Sequence, residues 1–495
     1  MLADGRGGLR GSAAVLALTL LAGAGALITQ AQGTSSSATT QSANTQSSTT
    51  QSGGTSSAAQ QSGNFQGSVV TDRATDGVLP LTLDEAIQRG LKHNLGLILS
   101  GQSERSAGGQ RLQELQGLLP TVNGMIKDAV QQTDLQAQGL RIPGFPAIIG
   151  PYGYQDIRGS LTWSLINVGA LQNYLASRHN FQSARLSVQD ARDLVVLTVG
   201  NAYLTCIADN SRIESVQAQV ATAKVSLDQA VSNHQAGTAP LLDELRSRVD
   251  YQSLQQSLIT TQNQYQKDRI ALARTIGLPL DQKYNLTDQA PYAALDKLDV
   301  DVAVKQALDN RSDLKAVEEQ LEAAKRSRSA ATAERFPVVS FNGDYGDIGV
   351  NVLHSHGTFD AVGELNVPLF EEAKLRGDAR EAQAQLDQKA AQLSDLRGQV
   401  SADIHDSLLD IHAAEQQVEV ARSNVQLSNE ALNEAQQRYA AGVTDNLAVS
   451  QAQQALAQAN DQYVSSLYQH NVAKLALARA LGVAEKNYKD YVGGK

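Results

Sequence analysis

The chain has 495 residues, of which 42% are hydrophobic and 4% aromatic, with a formal net charge of −10 and a single cysteine. The charge argues against nucleic acid as a partner, since that requires basic patches, and one cysteine excludes an internal disulfide. Scarce aromatics beside plentiful Ala and Gln fit long helices better than a compact enzyme core.

Arg6 and Arg10 precede an apolar run from Ala13 to Ile28 that ends in small residues, the layout of a secretory signal peptide. Residues 1–31 are expected to be that signal, cleaved between Ala26 and Ala31. A retained anchor is the weaker alternative, because the run is short for a spanning helix and no basic stop follows it. Residues 32–78 are expected to be a disordered linker: from Gln32 to Gly67 nearly every residue is Ser, Thr, Gln, Gly or Ala, too polar to bury a core. Beyond the signal, no apolar run approaches the roughly 20 residues of a transmembrane helix.

The rest reads as two copies of one unit, 79–290 and 291–490. Ala271-Leu-Ala-Arg-Thr-Ile-Gly277 returns as Ala476-Leu-Ala-Arg-Ala-Leu-Gly482, and Ala236-Gly237 returns as Ala441-Gly442, both at an offset of 205 (476 − 271, 442 − 237). Leu119-Pro120-Thr-Val122 matches Phe336-Pro337-Val-Val339 at an offset of 217 (337 − 120). Such a period marks a duplicated domain, not a solenoid.

Each unit opens with a short helix and then changes from period 3.6 to period 2. In the first, strands are expected over about 120–133 and 154–166. Ile157, Leu161, Trp163 and Leu165 line one face of the latter, and Asp156, Arg158, Ser160, Thr162 and Ser164 line the other. In the second, strands are expected over about 337–346 and 358–370, with Val339, Phe341, Tyr345, Phe359 and Leu365 on the apolar face. Strands of about ten residues with one apolar and one polar face suit an outer-membrane barrel. A periplasmic sheet with one solvated face is the alternative. Four strands do not close a barrel, so the chain is expected to oligomerise; two, three or four copies would give eight, twelve or sixteen strands.

Long coiled helical hairpins follow, over about 171–277 and 372–482, in intervals where proline is nearly absent. Val195, Val199, Ala202, Cys206, Asp209, Ile213, Val216, Val220, Ala223, Leu227 and Ala230 step by alternating fours and threes, and the same seam recurs from Val400 to Ala435. Each seam runs into a glycine, Gly237 or Gly442, placed as a left-handed helix cap, after which helical composition resumes.

The opening Leu81-Thr-Leu-Asp-Glu-Ala-Ile87, the second tip Gln437-Arg438-Tyr439-Ala-Ala-Gly442 with Leu447, Val449 and Gln451-Ala-Gln453, and the duplicated order of elements resemble the TolC-type outer-membrane efflux proteins, the outer membrane factor family. The resemblance implies a mainly α chain with a β-barrel segment, whose four strands enter a shared twelve-stranded barrel of a homotrimer in the outer-membrane lipid. An α-helical tunnel would continue it through the periplasm. It implies a passive exit duct of a tripartite efflux or type I secretion system, in which the hairpin tips dock a periplasmic adaptor that couples to an inner-membrane pump. Gly237, Thr238, Ala239, Arg438, Tyr439, Gly442, Val443 and Thr444 would form that docking surface, although a plain turn also accounts for the glycines. A common family pattern places Asp six and nine residues after the second tip glycine; here those positions are Ala448 and Gln451. The candidates for a pore constriction are instead Asp243, Glu244 and Asp445.

A periplasmic coiled-coil scaffold without a pore is the competing reading. No triad, phosphate loop or metal-ligand cluster stands out, so neither enzyme activity nor a cofactor is expected. His354 and His356 lack a partner at ligand spacing, and Cys206, on the seam, reads as a small packed hydrophobe.

Overall fold

The computed structural model describes residues 65–492 apart from 72, 138, 289–291, 296–297 and 445. The expected signal peptide, residues 32–64 of the linker and Asp445 lie outside the described residues. Strand β1 (Leu79–Leu81) leads into helices α1 (Leu83–His93) and α2 (Leu95–Gln116), strands β2 (Thr121–Asp134) and β3 (Ile148–Ile166), and a hairpin of α3 (Val168–Gln235) and α4 (Leu241–Ile276). After β4 (Tyr284–Leu286) the order returns as α5 (Val300–Asn310), α6 (Ser312–Ala333), β5 (Val338–Gly349), β6 (Ser355–Asn366), α7 (Glu372–Ala440) and α8 (Asn446–Ala480), followed by α9 (Ala484–Val492).

Local chemistry explains where the helices begin. Thr82 and Glu85 form a reciprocal capping box at the start of α1, and Asn94 Oδ1 accepts from the Gly96 amide to start α2. The longest helices, α3 with 68 residues and α7 with 69, are held by the heptad seam. Val195, Val199, Cys206, Asp209, Ile213, Ala223 and Ala230 are buried, as are Val400, Ile404, Ser407, Ile411, Ala414, Val418, Ala421 and Leu432, and the other seam positions are half-buried. One stretch of α3 is long and apolar enough to cross a membrane, yet it is mostly buried inside the chain.

Burial pushes the Cys206 thiol up to about 12, in keeping with a packed, unreactive role. Asp209 is the one charged member of the seam. Burial, followed by the neighbouring carboxyl of Asp268, pushes its carboxyl up from 3.8 to about 6, against the pull of Arg212. The folded chain therefore holds this proton more tightly than the unfolded one. The resulting stabilisation is present below pH 3.8 and is lost as pH rises through about 6. Asp209→Asn should flatten thermal stability across that window, and a melting curve as pH-dependent as that of the parent would refute the assignment.

The strand ends differ from expectation where pairing overrides local signals. β3 begins at Ile148, six residues before the expected start, because Ile149 pairs with Thr133 and Tyr152 with Gln131. The intervening Gly150, Pro151 and Gly153 read as turn chemistry in isolation. β6 stops at Asn366, not near 370, because its partner strand begins with Val338 opposite Asn366 and Pro368 has no N–H to extend the ladder. Residues 65–78 also depart from the expected linker, since the chain docks there. Phe65 packs on Gly96, the Val69 amide donates to His93 O at 2.9 Å, and the Thr75 amide donates to Gln282 Oε1 at 2.7 Å.

The main core lies where the repeats meet. Leu81, Ile87, Val195, Val199, Tyr203, Leu272, Ile276 and Leu475 pack together, and the Tyr203 hydroxyl donates to Leu81 O at 2.9 Å across β1. Near the sheet α3 packs against both α2 and α6, and α6 against α7, so helix order follows strand order. Further from the sheet α3 packs against α4 and α8, and α8 against α7.

Candidate functional site

Two regions carry the functional geometry: a sheet with chemically opposite faces and a pair of helical tips. The sheet has the order β2-β3-β5-β6 and is antiparallel throughout. Its register sets Val122 opposite Leu161, Ile126 opposite Ile157, Trp163 opposite Phe341, Tyr345 opposite Phe359 and Val339 opposite Leu365. These residues share one face, and most of that face is bare, with Ile126 81% exposed and Phe359 79%, while Leu161, Val339 and Phe341 are half-buried. An apolar face left open to this extent is what lipid covers.

The opposite face is polar and internally paired. Arg158 Nε lies 3.1 Å from Asp156 Oδ1, and its Nη1 donates to Asp344 across the β3–β5 junction. Lys127 Nζ donates to the Tyr154 hydroxyl at 2.7 Å. Trp163 Nε1 donates to Leu118 O at 3.1 Å, tying the base of the sheet to the end of α2. Strands β2 and β6 each have one neighbour, so both edges of the sheet carry unpaired backbone groups.

At the far end of the hairpins both tips adopt one motif. Gly237 has φ of 72° and Gly442 of 70°. The Thr238 amide donates to Asn233 O and the Gly237 amide to His234 O; the Val443 amide donates to Arg438 O and the Gly442 amide to Tyr439 O. This is the Schellman arrangement, which favours glycine at the left-handed position. A Cβ on either glycine would meet no atom within 4 Å. Gly237, Thr238, Arg438, Gly442 and Val443 are exposed, and Ala239, Tyr439 and Thr444 half-buried.

Of the candidate constriction residues, the two that are described, Asp243 and Glu244, do not project freely. Asp243 is 6% exposed, with Arg246 Nη1 at 4.0 Å from its carboxylate, and Glu244 is paired with Arg248 at 2.7 Å. Both sit in the first turn of α4, where the helix dipole favours acids. Sequence reasoning missed the contacts that join the two hairpins. Asn446, 3% exposed, donates through Nδ2 to Ser247 Oγ at 2.7 Å, Ser450 donates to Asp250, and Gln453 Nε2 donates to Ser226 Oγ at 2.9 Å. These partners lie about 200 residues apart in the chain, 199 for Asn446 and Ser247, and no local spacing rule reaches that far.

The outer membrane efflux protein family matches residues 87–278 and 303–483, one segment in each repeat. The chain belongs to this family. Among curated relatives, the toluene efflux pump outer membrane protein TtgF of Pseudomonas putida is 26% identical over 387 residues, covering 74% of this chain and 76% of the relative. Outer membrane protein OprJ of Pseudomonas aeruginosa is 26% identical over 325 residues, covering 63% and 65%. The fold matches that of VceC, an outer membrane protein of Vibrio cholerae, with a TM-score of 0.72 at 20% identity over 81% of this chain and 96% of that one. It also matches the CmeC outer membrane channel of Campylobacter jejuni, with a TM-score of 0.72 at 16% identity over 87% and 93%.

Membership sets the bare apolar sheet in the outer membrane. The helices stand in the periplasm, since α3, with 68 residues, is on the order of 100 Å long and far exceeds the thickness of a bilayer. The relatives are described as efflux and outer-membrane proteins, none as an enzyme.

Proposed function

We propose that this protein is the passive exit duct of a tripartite efflux pump, assembled as a homotrimer. The observation that carries the reading is the four-stranded sheet, apolar and bare on one face, ion-paired on the other and unpaired at both edges. Unpaired edges in lipid cost several kcal/mol per group, so copies join β6 to the next copy's β2 until the sheet closes. Eight strands leave an interior that side chains fill. Three copies give twelve, enough for an aqueous duct continued by the helices below. Transport through it makes and breaks no covalent bond.

Gly237, Thr238, Ala239, Arg438, Tyr439, Gly442, Val443 and Thr444 dock a periplasmic adaptor, which joins the duct to an inner-membrane pump. The exposure of Gly237, Thr238, Arg438, Gly442 and Val443 and of Leu241, Leu242 and Leu447 beside them supports this role. The cargo is a small organic molecule, in line with relatives named for toluene, antibiotic and solvent efflux. Planar-bilayer recording of the purified protein tests the duct, with discrete conductance steps expected, and native mass spectrometry should give three chains. A protein that produces no steps would be a scaffold.

Asp243 and Glu244, one turn beyond the first tip, with Asp445 in the second, give the narrow end of the duct its preference for cations. Because both described acids have an arginine nearby, the expected effect is moderate. Replacing Asp243 and Glu244 together by Ala should move the reversal potential in a salt gradient toward zero, and an unchanged potential would remove them from the constriction.

A further inference from the structure

Between the two hairpins lies a cavity of about 530 Å³, walled by α3 and α4 on one side and by α7 and α8 on the other. Leu254, Leu432 and Leu456 supply apolar surface, and Ser450 and Gln453 supply hydrogen-bonding groups. The volume falls within the roughly 300–1,000 Å³ of small-molecule pockets. One formal charge lines it, the half-buried carboxylate of Asp250.

The nearby acids of α4 have arginine partners, Asp243 with Arg246 and Glu244 with Arg248. Asp250 accepts a hydrogen bond from Ser450 and, among the described residues, has no cation within ion-pair distance. A carboxylate partly withdrawn from water and lacking a counter-ion attracts an incoming cation more strongly than an exposed one does. The leucines favour an apolar body on the same molecule.

We infer that the inter-hairpin cavity is a binding site for a small amphipathic cation, its apolar body against Leu254, Leu432 and Leu456 and its charge at Asp250. The inference does not depend on the duct reading. An occupant touches all four hairpin helices at once, so it favours the hairpins packed together over any state in which they separate.

The test is calorimetric titration of the full-length protein, in its native oligomer in lipid nanodiscs, with tetraphenylphosphonium and with the neutral triphenylphosphine oxide, each corrected for empty nanodiscs. The cation should bind saturably, one per chain, at least tenfold more tightly than the oxide. Asp250→Asn, which keeps the side-chain shape and an acceptor for Ser450, should weaken cation binding at least tenfold. Leu456→Trp, which fills the cavity and spares Asp250, should abolish it. Equal affinity for the two probes on the unaltered protein overturns the site even where a variant fails to assemble. So does undiminished cation binding to either assembled variant.

Discussion

Gly442→Arg is expected to abolish efflux while leaving the protein assembled and conducting in the outer membrane. The residue lies at φ of 70°, where a side chain costs roughly 1–2 kcal/mol of backbone strain. That cost is local, because an added Cβ meets no atom within 4 Å and the arginine extends into solvent. Nothing in the sheet or the seam feels it. An adaptor seated on this tip would meet a bulky charge where the parent offers bare backbone beside Val443, which is 67% exposed. Dye efflux in cells should fall at least tenfold, toward that of a strain lacking the protein, with single-channel conductance unchanged. Gly442→Ala carries the same strain without the bulk and should keep most of the efflux. If Gly442→Ala failed as completely as Gly442→Arg, the loss would come from the turn itself. Normal efflux in the arginine variant would exclude docking at this tip.

The tips and seams were legible because each rests on a short-range rule. A buried helical stripe repeats every seven residues, and a helix end in the left-handed conformation selects glycine; both signals recur in two copies, which separates them from chance. Boundaries set by a distant partner were not legible. The start of β3 depends on Thr133 and Gln131 extending β2 far enough to pair with Ile149 and Tyr152, and nothing within 148–153 reports this. Phe65 and Val69 sit in a context of Ser, Gln and Gly that reads as linker, yet the Phe65 ring on Gly96, backbone hydrogen bonds near His93 and Leu95 and the Thr75 contact with Gln282 dock the segment. Asn446 stands at a helix start, where nothing in the neighbouring sequence sets it apart. Its side chain is paired with Ser247 in the other repeat, and that pairing exists only once the two hairpins lie side by side.

The alternation in the strands permitted both a lipid-facing wall and a solvated periplasmic sheet, and one pair of substitutions separates their physical consequences. Ile126→Arg should cost about 2–4 kcal/mol, the price of an arginine on the lipid face near the bilayer midplane. That corresponds to roughly a 30- to 1,000-fold loss in the folded-to-unfolded ratio, read as reduced assembly and a lower urea midpoint in liposomes. Ile126 is 81% exposed in the single chain, so no cavity or lost core contact contributes, and water around the sheet would welcome the charge. One residue further along β2 the side chain points to the opposite face, where Lys127 meets the Tyr154 hydroxyl. Lys127→Met should therefore leave assembly close to that of the parent and alter conductance, because it changes the charge lining the lumen. Both variants assembling equally well would place water on both faces of the sheet and remove the membrane wall. A large loss confined to Ile126→Arg requires hydrocarbon on that face, and hydrocarbon in turn requires every backbone group at the β2 and β6 edges to find a partner in another copy.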